Sequence, residues 1–242
     1  VRDLDILGFT LQYELSYTNL LNMLDLAGME LRSKNRGEED PVIIAGGPCA
    51  YNPEPLAEFV DAFLIGDGEE LLEKVCLARK GCGSKREFLE KICRYEGVYV
   101  PAFYEFVYNE DGTVSEIKKL YDDAPDRVKR AVVSDIDKVF FPVENIVPFI
   151  DTVHDRAVVE TFRGCTRGCR FCEAGMIYRP VRERSPETIT RIADEQLRNT
   201  GHDELSLLSL STSDYSRFEP LAMGLMSMCK SRNVALSLPS LR

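Results

Sequence analysis

Short apolar runs alternate with helical-period segments along the first hundred residues, and that alternation restricts the fold more than any other feature. Residues 5–9 (Asp-Ile-Leu-Gly-Phe) read as a strand. Leu20, Leu21, Leu24, Ala27 and Leu31 then recur at helical spacing. Val-Ile-Ile-Ala at 42–45 is a second strand ending in Gly46-Gly47, and a short helix begins near Pro53. Residues 62–65 form a third strand. Gly66-Asp-Gly-Glu-Glu70 leads into a helix to about Ala78, and another helix covers roughly 84–95. Strands alternating with helices predict an α/β fold with a parallel sheet and right-handed crossovers. Glycines at a strand's carboxyl end let a backbone approach a ligand closely, and a plain tight turn explains them as simply.

From residue 97 the pattern changes. Alternating residues at 104–108, a turn at Asn109-Glu-Asp-Gly-Thr113 and a run at 114–120 predict a hairpin. Residues 122–148 are charged, proline-punctuated and poorly periodic, as a connector would be. Ala157 to Phe162 reads as a strand. Ser185-Pro186-Glu187 is a strong helix start: serine caps, proline takes the first turn and glutamate suits the dipole. That helix should reach about Arg198, with further strands at 205–210 and 234–238. The expected segments are 1–96, a hairpin and connector at 97–150, and a second α/β segment at 151–242.

The strand at 157–162 leads into Arg163-Gly-Cys-Thr-Arg-Gly-Cys-Arg-Phe-Cys172, in which Cys165, Cys169 and Cys172 follow the spacing C-x3-C-x2-C. Three thiolates this close can hold three corners of an iron–sulfur cube. With no fourth cysteine nearby, one iron would be open to bind a small molecule. A zinc site competes, because C-x2-C is ordinary zinc spacing and Cys165, Cys229 or His154 could add ligands. Zinc sites usually bring two separated pairs, and no second C-x2-C exists here. Three buried structural thiols fit poorly beside Arg163, Arg167 and Arg170. A non-catalytic electron-transfer or zinc-binding module is therefore the alternative to an enzyme. Residues 156–191 hold eight arginines and four glutamates, an excess of four positive charges suited to an anionic cluster. Some of these arginines should simply face water or pair with the glutamates.

The cysteine run, with Phe171 before its last cysteine and a strand before its first, resembles the signature of the radical S-adenosylmethionine (SAM) superfamily. The resemblance implies a [4Fe–4S] cluster on Cys165, Cys169 and Cys172, with SAM on the open iron. One electron would cleave SAM to methionine and a 5′-deoxyadenosyl radical. It puts Phe171 beside the adenine. It implies an electron donor such as flavodoxin or ferredoxin, and the first half of a partial (β/α)6 barrel over 151–242. The family's glycine-rich motif after the second barrel strand is replaced by Ser209-Leu-Ser-Thr-Ser-Asp214. Ser211, Ser213 and Asp214 are acceptors that could take its place against the methionine ammonium. Arg182, or Arg184, could reach the carboxylate. Residues 44–69 are similar to the Rossmann-like, cobalamin-binding-type domain that precedes many such barrels, with Gly46 and Gly47 against the nucleotide tail. The Asp-x-His-x-x-Gly motif that supplies the lower cobalt ligand is absent. Methyl or methylthio transfer is compatible with this resemblance, and no residue selects a substrate. His154, His202 and Glu160 read as structural or surface groups.

Composition bounds the rest. A hydrophobic fraction of 44% supports a packed core, and a net charge of −10 argues against a general nucleic-acid surface. Cys49, Cys76, Cys82 and Cys93 are scattered, as buried or half-buried free thiols of a reducing compartment would be. With no apolar run of spanning length and no signal peptide, a cytoplasmic location without membrane partners is expected. The chain begins at Val1 almost directly on a strand, and 234–242 reads as a strand with its exit turn, so a fragment of a longer protein is expected.

Overall fold

The computed structural model describes residues 1, 3–150 and 152–241. Asp151 and Arg242, the ends of the last expected segment, lie outside the described residues. The chain divides into two compact units, Val1–Val133 and Ser134–Arg242.

In the first unit β1 (Ile6–Thr10), β2 (Val42–Gly46) and β3 (Ala62–Leu64) run parallel in that order, and β4 (Val98–Tyr99) adds antiparallel to β3. Alternation along β2 feeds two cores. Val42 and Ile44 pack with Leu71 and Val75 of α2 (Glu69–Arg79) and with Phe88 and Ile92 of α3 (Lys85–Ile92). Ile43 and Ala45 face the other way, onto Leu20 and Leu24 of α1 (Tyr17–Leu26). A sheet covered on both faces needs strands apolar throughout, which is why β2 and β3 read as unbroken apolar runs.

Three expectations need correction here. The α1 pattern stops at Leu26, where the chain turns through Ala27–Gly28; Leu31 still packs against the same core, from outside the helix. The helix expected near Pro53 is a pair of short 3-10 turns, Pro48–Tyr51 and Glu54–Leu56. Of the scattered thiols, Cys49 and Cys93 are buried and Cys82 half-buried, but Cys76 is exposed, on the outer face of α2.

The hairpin is present as β5 (Tyr104–Tyr108) and β6 (Val114–Lys119), closed by Asn109 N–H to Thr113 O at 2.8 Å. Among the described residues of 120–156 there is no helix or strand. The first part of this stretch belongs to the first unit: Ala131 bridges Gly66, and Val133 N–H donates to the Asp67 carboxylate at 2.9 Å. The next part serves the second unit. Ile136 is buried there, and Pro142 O accepts from the Gln196 amide at 3.1 Å.

In the second unit β7 (Ala157–Glu160) has β10 (Glu204–Leu208) and then β11 (Ala235–Ser237) beside it, all parallel. The connections are α5 (Pro186–Thr200) and α6 (Phe218–Ser231). Ser185 caps α5 as its sequence implies, accepting from Thr188 N–H at 3.2 Å. Ile189, Ile192 and Leu225 cover the sheet. The strand expected to run to Phe162 breaks at Thr161. Its N–H goes to Leu208 O at 3.0 Å, but its carbonyl accepts from Arg184 N–H at 2.9 Å. Phe162–Arg163 thus leaves the sheet as β8 and pairs antiparallel with β9 (Arg182–Glu183). A short α4 (Ala174–Ile177) lies between them.

Candidate metal centre

The β8–β9 pair forms the base of the cysteine loop, which emerges beyond the carboxyl end of β7. Gly164 stands at that base with φ 89°; a Cβ there would lie 2.8 Å from both Tyr178 O and Pro180 O. Only glycine permits this approach. Cys165 is buried, Cys169 and Cys172 are half-buried, and all three are free thiols. Cys172 N–H closes a turn onto Cys169 O at 3.0 Å. The Cys165 sulfur accepts from Arg167 N–H at 3.5 Å, and its carbonyl from Arg179 Nε at 3.4 Å.

Among the described residues no three His, Cys, Asp or Glu side chains converge on a point that could hold a metal ion. The fit to an iron–sulfur group rests on donor chemistry: three unbridged soft ligands on one loop, spaced for three corners of a cube. The candidates for a zinc fourth ligand are engaged elsewhere. Cys229, on the buried face of α6, packs into the core, where burial raises its thiol pKa, and the His154 ring lies 2.8 Å from the Arg156 guanidinium.

The remaining sequence candidates divide. Phe171 is 89% exposed at the loop's outer side. Asp214 is brought to the cysteine loop: Arg167 Nε donates to its Oδ2 at 2.7 Å and Nη2 to its Oδ1. Ser213 shares with Asp214 the 3-10 turn Thr212–Asp214 that follows β10, and Ser211 precedes it, fully buried. Among the described residues the Ser211 hydroxyl has no hydrogen-bond partner. Arg182 is buried, with Nε on Pro180 O at 3.2 Å and Nη2 on Tyr178 O at 3.4 Å. Arg184 is a framework residue. It is 1% exposed, bonds Ile136 O and Glu160 Oε2 (3.1 Å), and lies over the Phe141 ring. Glu160 also takes Arg163 at 2.8 Å, a structural role as its position in the strand implied. Arginine pairing thus absorbs much of the positive excess, with Arg156 on Glu204 and Arg191 on Glu195 as well.

In the first unit Gly46 and Gly47 close β2. Gly47 has φ 98°, and a Cβ on it would meet Leu11 O at 2.8 Å, so this glycine serves a close approach of the chain to itself. Beside Gly46 the nearest atom is Leu64 O at 3.4 Å. Sequence reasoning missed Gly164, the Arg167–Asp214 pair and Tyr215. Burial raises the Tyr215 pKa, and its hydroxyl donates to Arg184 O at 2.7 Å. A glycine directly before the first cysteine was the one available signal.

Residues 1–101 match the family described as radical SAM proteins, N-terminal, and residues 159–241 match the radical SAM superfamily. An uncharacterized protein of Methanocaldococcus jannaschii is 29% identical over 218 residues, covering 89% of this chain and 40% of that protein. The ribosomal protein uS12 methylthiotransferase RimO of Prochlorococcus marinus is 25% identical over 204 residues, covering 82% of this chain and 40% of its own length. The chain thus spans about two fifths of the length of these curated relatives. Among solved structures, the radical SAM methyltransferase TsrM of Kitasatospora setae, with cobalamin and a [4Fe–4S] cluster bound, shares the mixed α/β fold. The TM-score is 0.54 at 12% identity, over 96% of this chain and 43% of TsrM. TsrM with tryptophan substrate and a SAM analogue aligns with a TM-score of 0.56. The N-terminal match on the first unit and the superfamily match around the cysteine loop agree: the chain belongs to the radical SAM superfamily of enzymes, with that superfamily's N-terminal domain ahead of the loop.

Proposed function

We propose that this chain carries the cluster-binding part of a radical SAM enzyme, with Cys165, Cys169 and Cys172 as the ligands of a [4Fe–4S] cluster. When bound, that cluster supplies an open iron for SAM and the electron that cleaves it to methionine and a 5′-deoxyadenosyl radical. The observation that carries this reading is three unbridged thiols on one loop beyond the carboxyl end of a parallel strand, with the Asp214 turn tied to that loop. Such strand ends are where barrel active sites form. In this reading 151–242 is the first half of a partial (β/α)6 barrel and 97–150 a hairpin and connector. Residues 1–96 are a Rossmann-like domain of cobalamin-binding type.

The chain's own residues orient SAM. Phe171, exposed on the loop, offers its ring to the adenine. Asp214 and Ser213 accept from the methionine ammonium, with Ser211 behind them, and Arg182 stands nearest the carboxylate role. Cobalamin at Gly46 and Gly47 is a separate part of the proposal, supported by TsrM rather than by space at Gly47. Methyl or methylthio transfer is proposed from the names of the relatives, with flavodoxin or ferredoxin as electron donor. A reducing cytoplasm suits eight free thiols; no helix among the described residues is long and apolar enough to cross a membrane.

Anaerobic reconstitution of the full-length protein with iron and sulfide tests the reading. The expected result is a cluster whose electron paramagnetic resonance spectrum shifts when SAM is added, with 5′-deoxyadenosine formed on reduction. Replacing any one of the three cysteines by alanine should abolish both. A cluster indifferent to SAM would instead mark an electron-transfer module, and stoichiometric zinc without iron uptake a structural one. Titrated cobalamin whose absorption spectrum stays unchanged would remove that cofactor.

A further inference from the structure

The turn after β10 is tied down on several sides. Tyr215 donates its hydroxyl to Arg184 O inside the unit. Ser216 donates its N–H to Glu183 Oε1 at 2.8 Å and its hydroxyl to the other carboxylate oxygen. Thr212 N–H reaches Ser240 O at 3.1 Å. The bonds to Glu183 and to the next residue, Arg184, fix the turn to β9, which pairs with the strand leading into the cysteines. The Arg167–Asp214 contact is by contrast an ion pair, between side chains 50% and 24% exposed. The backbone N–H of Arg167 meanwhile points at the Cys165 sulfur. One residue therefore links the first ligand cysteine to the carboxylate assigned above to the SAM ammonium.

A guanidinium fork that engages both oxygens of a carboxylate also cancels its charge. An ammonium arriving at Asp214 meets little attraction while Arg167 stays. A half-exposed pair is weak enough for a bound cation to displace. We infer that Arg167 gates the SAM-binding turn, holding Asp214 in the SAM-free protein and yielding it to the ammonium of SAM. Arg167 is on this account a positioning residue, and the inference rests on the proposed role of Asp214.

The test uses full-length protein loaded anaerobically with its cluster, SAM titrated against the cluster's paramagnetic spectrum, and iron measured per chain. Arg167→Gln should bind SAM about two- to fivefold more tightly with unchanged iron. Arg167→Lys, which keeps the charge and loses the fork, should fall between it and the parent. Asp214→Asn should weaken SAM binding, and adding Arg167→Gln to it should bring no further tightening. High salt should narrow the gap between parent and Arg167→Gln. The gate is overturned if Arg167→Gln binds SAM equally or more weakly, if it loses iron, or if Asp214→Asn leaves SAM affinity unchanged. A parent cluster that ignores SAM would overturn the proposed function and the gate together, whereas a parent that responds with an unresponsive Arg167→Gln sinks the gate alone.

Discussion

Gly164 precedes the first cysteine and lets the chain pass 2.8 Å (as measured from an imagined Cβ) beside two carbonyl oxygens, in a backbone region other residues adopt only under strain. Gly164→Ala should cost about 1–3 kcal/mol. Because the strain falls at the base of the loop, the variant should melt lower and take up less iron on reconstitution. Iron content equal to the parent would show that this approach does not shape the cluster site. The cysteines announced themselves through spacing, and Gly164 could only be recognised once Tyr178 and Pro180 were seen crossing beside it. Arg184 carries a related lesson. As a residue type near an expected carboxylate it invited a ligand role, but folding buries it between Glu160, Ile136 and Phe141.

At the scale of single elements, α5 was legible almost to its ends because its start signals are local: Ser185 caps, Pro186 opens and Gly201 closes in the left-handed region. Ser185→Ala removes the bond to Thr188 N–H and should lower stability by about 1 kcal/mol, read as a shift in urea midpoint. A shift under a quarter of that would mean the cap is redundant. β4 and β5 bring an alkaline weakness. Burial pushes the Tyr104 pKa from 10.0 up to about 12, and burial with the Glu54 hydrogen bond raises Tyr99 further. Each phenol keeps its proton longer when folded, so the unfolded state releases protons first. Stability contributed by Tyr104 is whole below pH 10.0 and is lost as pH climbs toward about 12. Chemical denaturation across that window should show falling stability, and Tyr104→Phe should flatten the slope. An unchanged slope would assign the alkaline loss elsewhere. The breaks at Leu26 and Thr161 were illegible for one reason: apolar periodicity continues where the backbone does not.

For the molecule as a whole, residues 120–156 read as a single connector, yet their first part binds the first unit and residues from Ile136 bind the second. The described residues between 144 and 153 have no regular structure and leave large apolar side chains in solvent, Phe149 fully and Ile146 at 97%. Brief chymotrypsin treatment should therefore cut first beside Phe149, inside the second unit's leading segment and outside both sheets. First cleavage inside either sheet would contradict this division.

Local chemistry was written in the chain: strands apolar enough to be buried on both faces, a capped helix, a hairpin turn and three thiols at cluster spacing. Each depends on neighbours a few residues away, so periodicity and spacing report it. Long-range pairing was not. The bond from Arg167 to Asp214 spans 47 residues, Arg184 meets Ile136 across 48, and Ala131 comes to rest against Gly66. Those partners are chosen by the close packing of strands and loops in three dimensions, where an arginine's neighbour decides whether it serves as framework, gate or ligand.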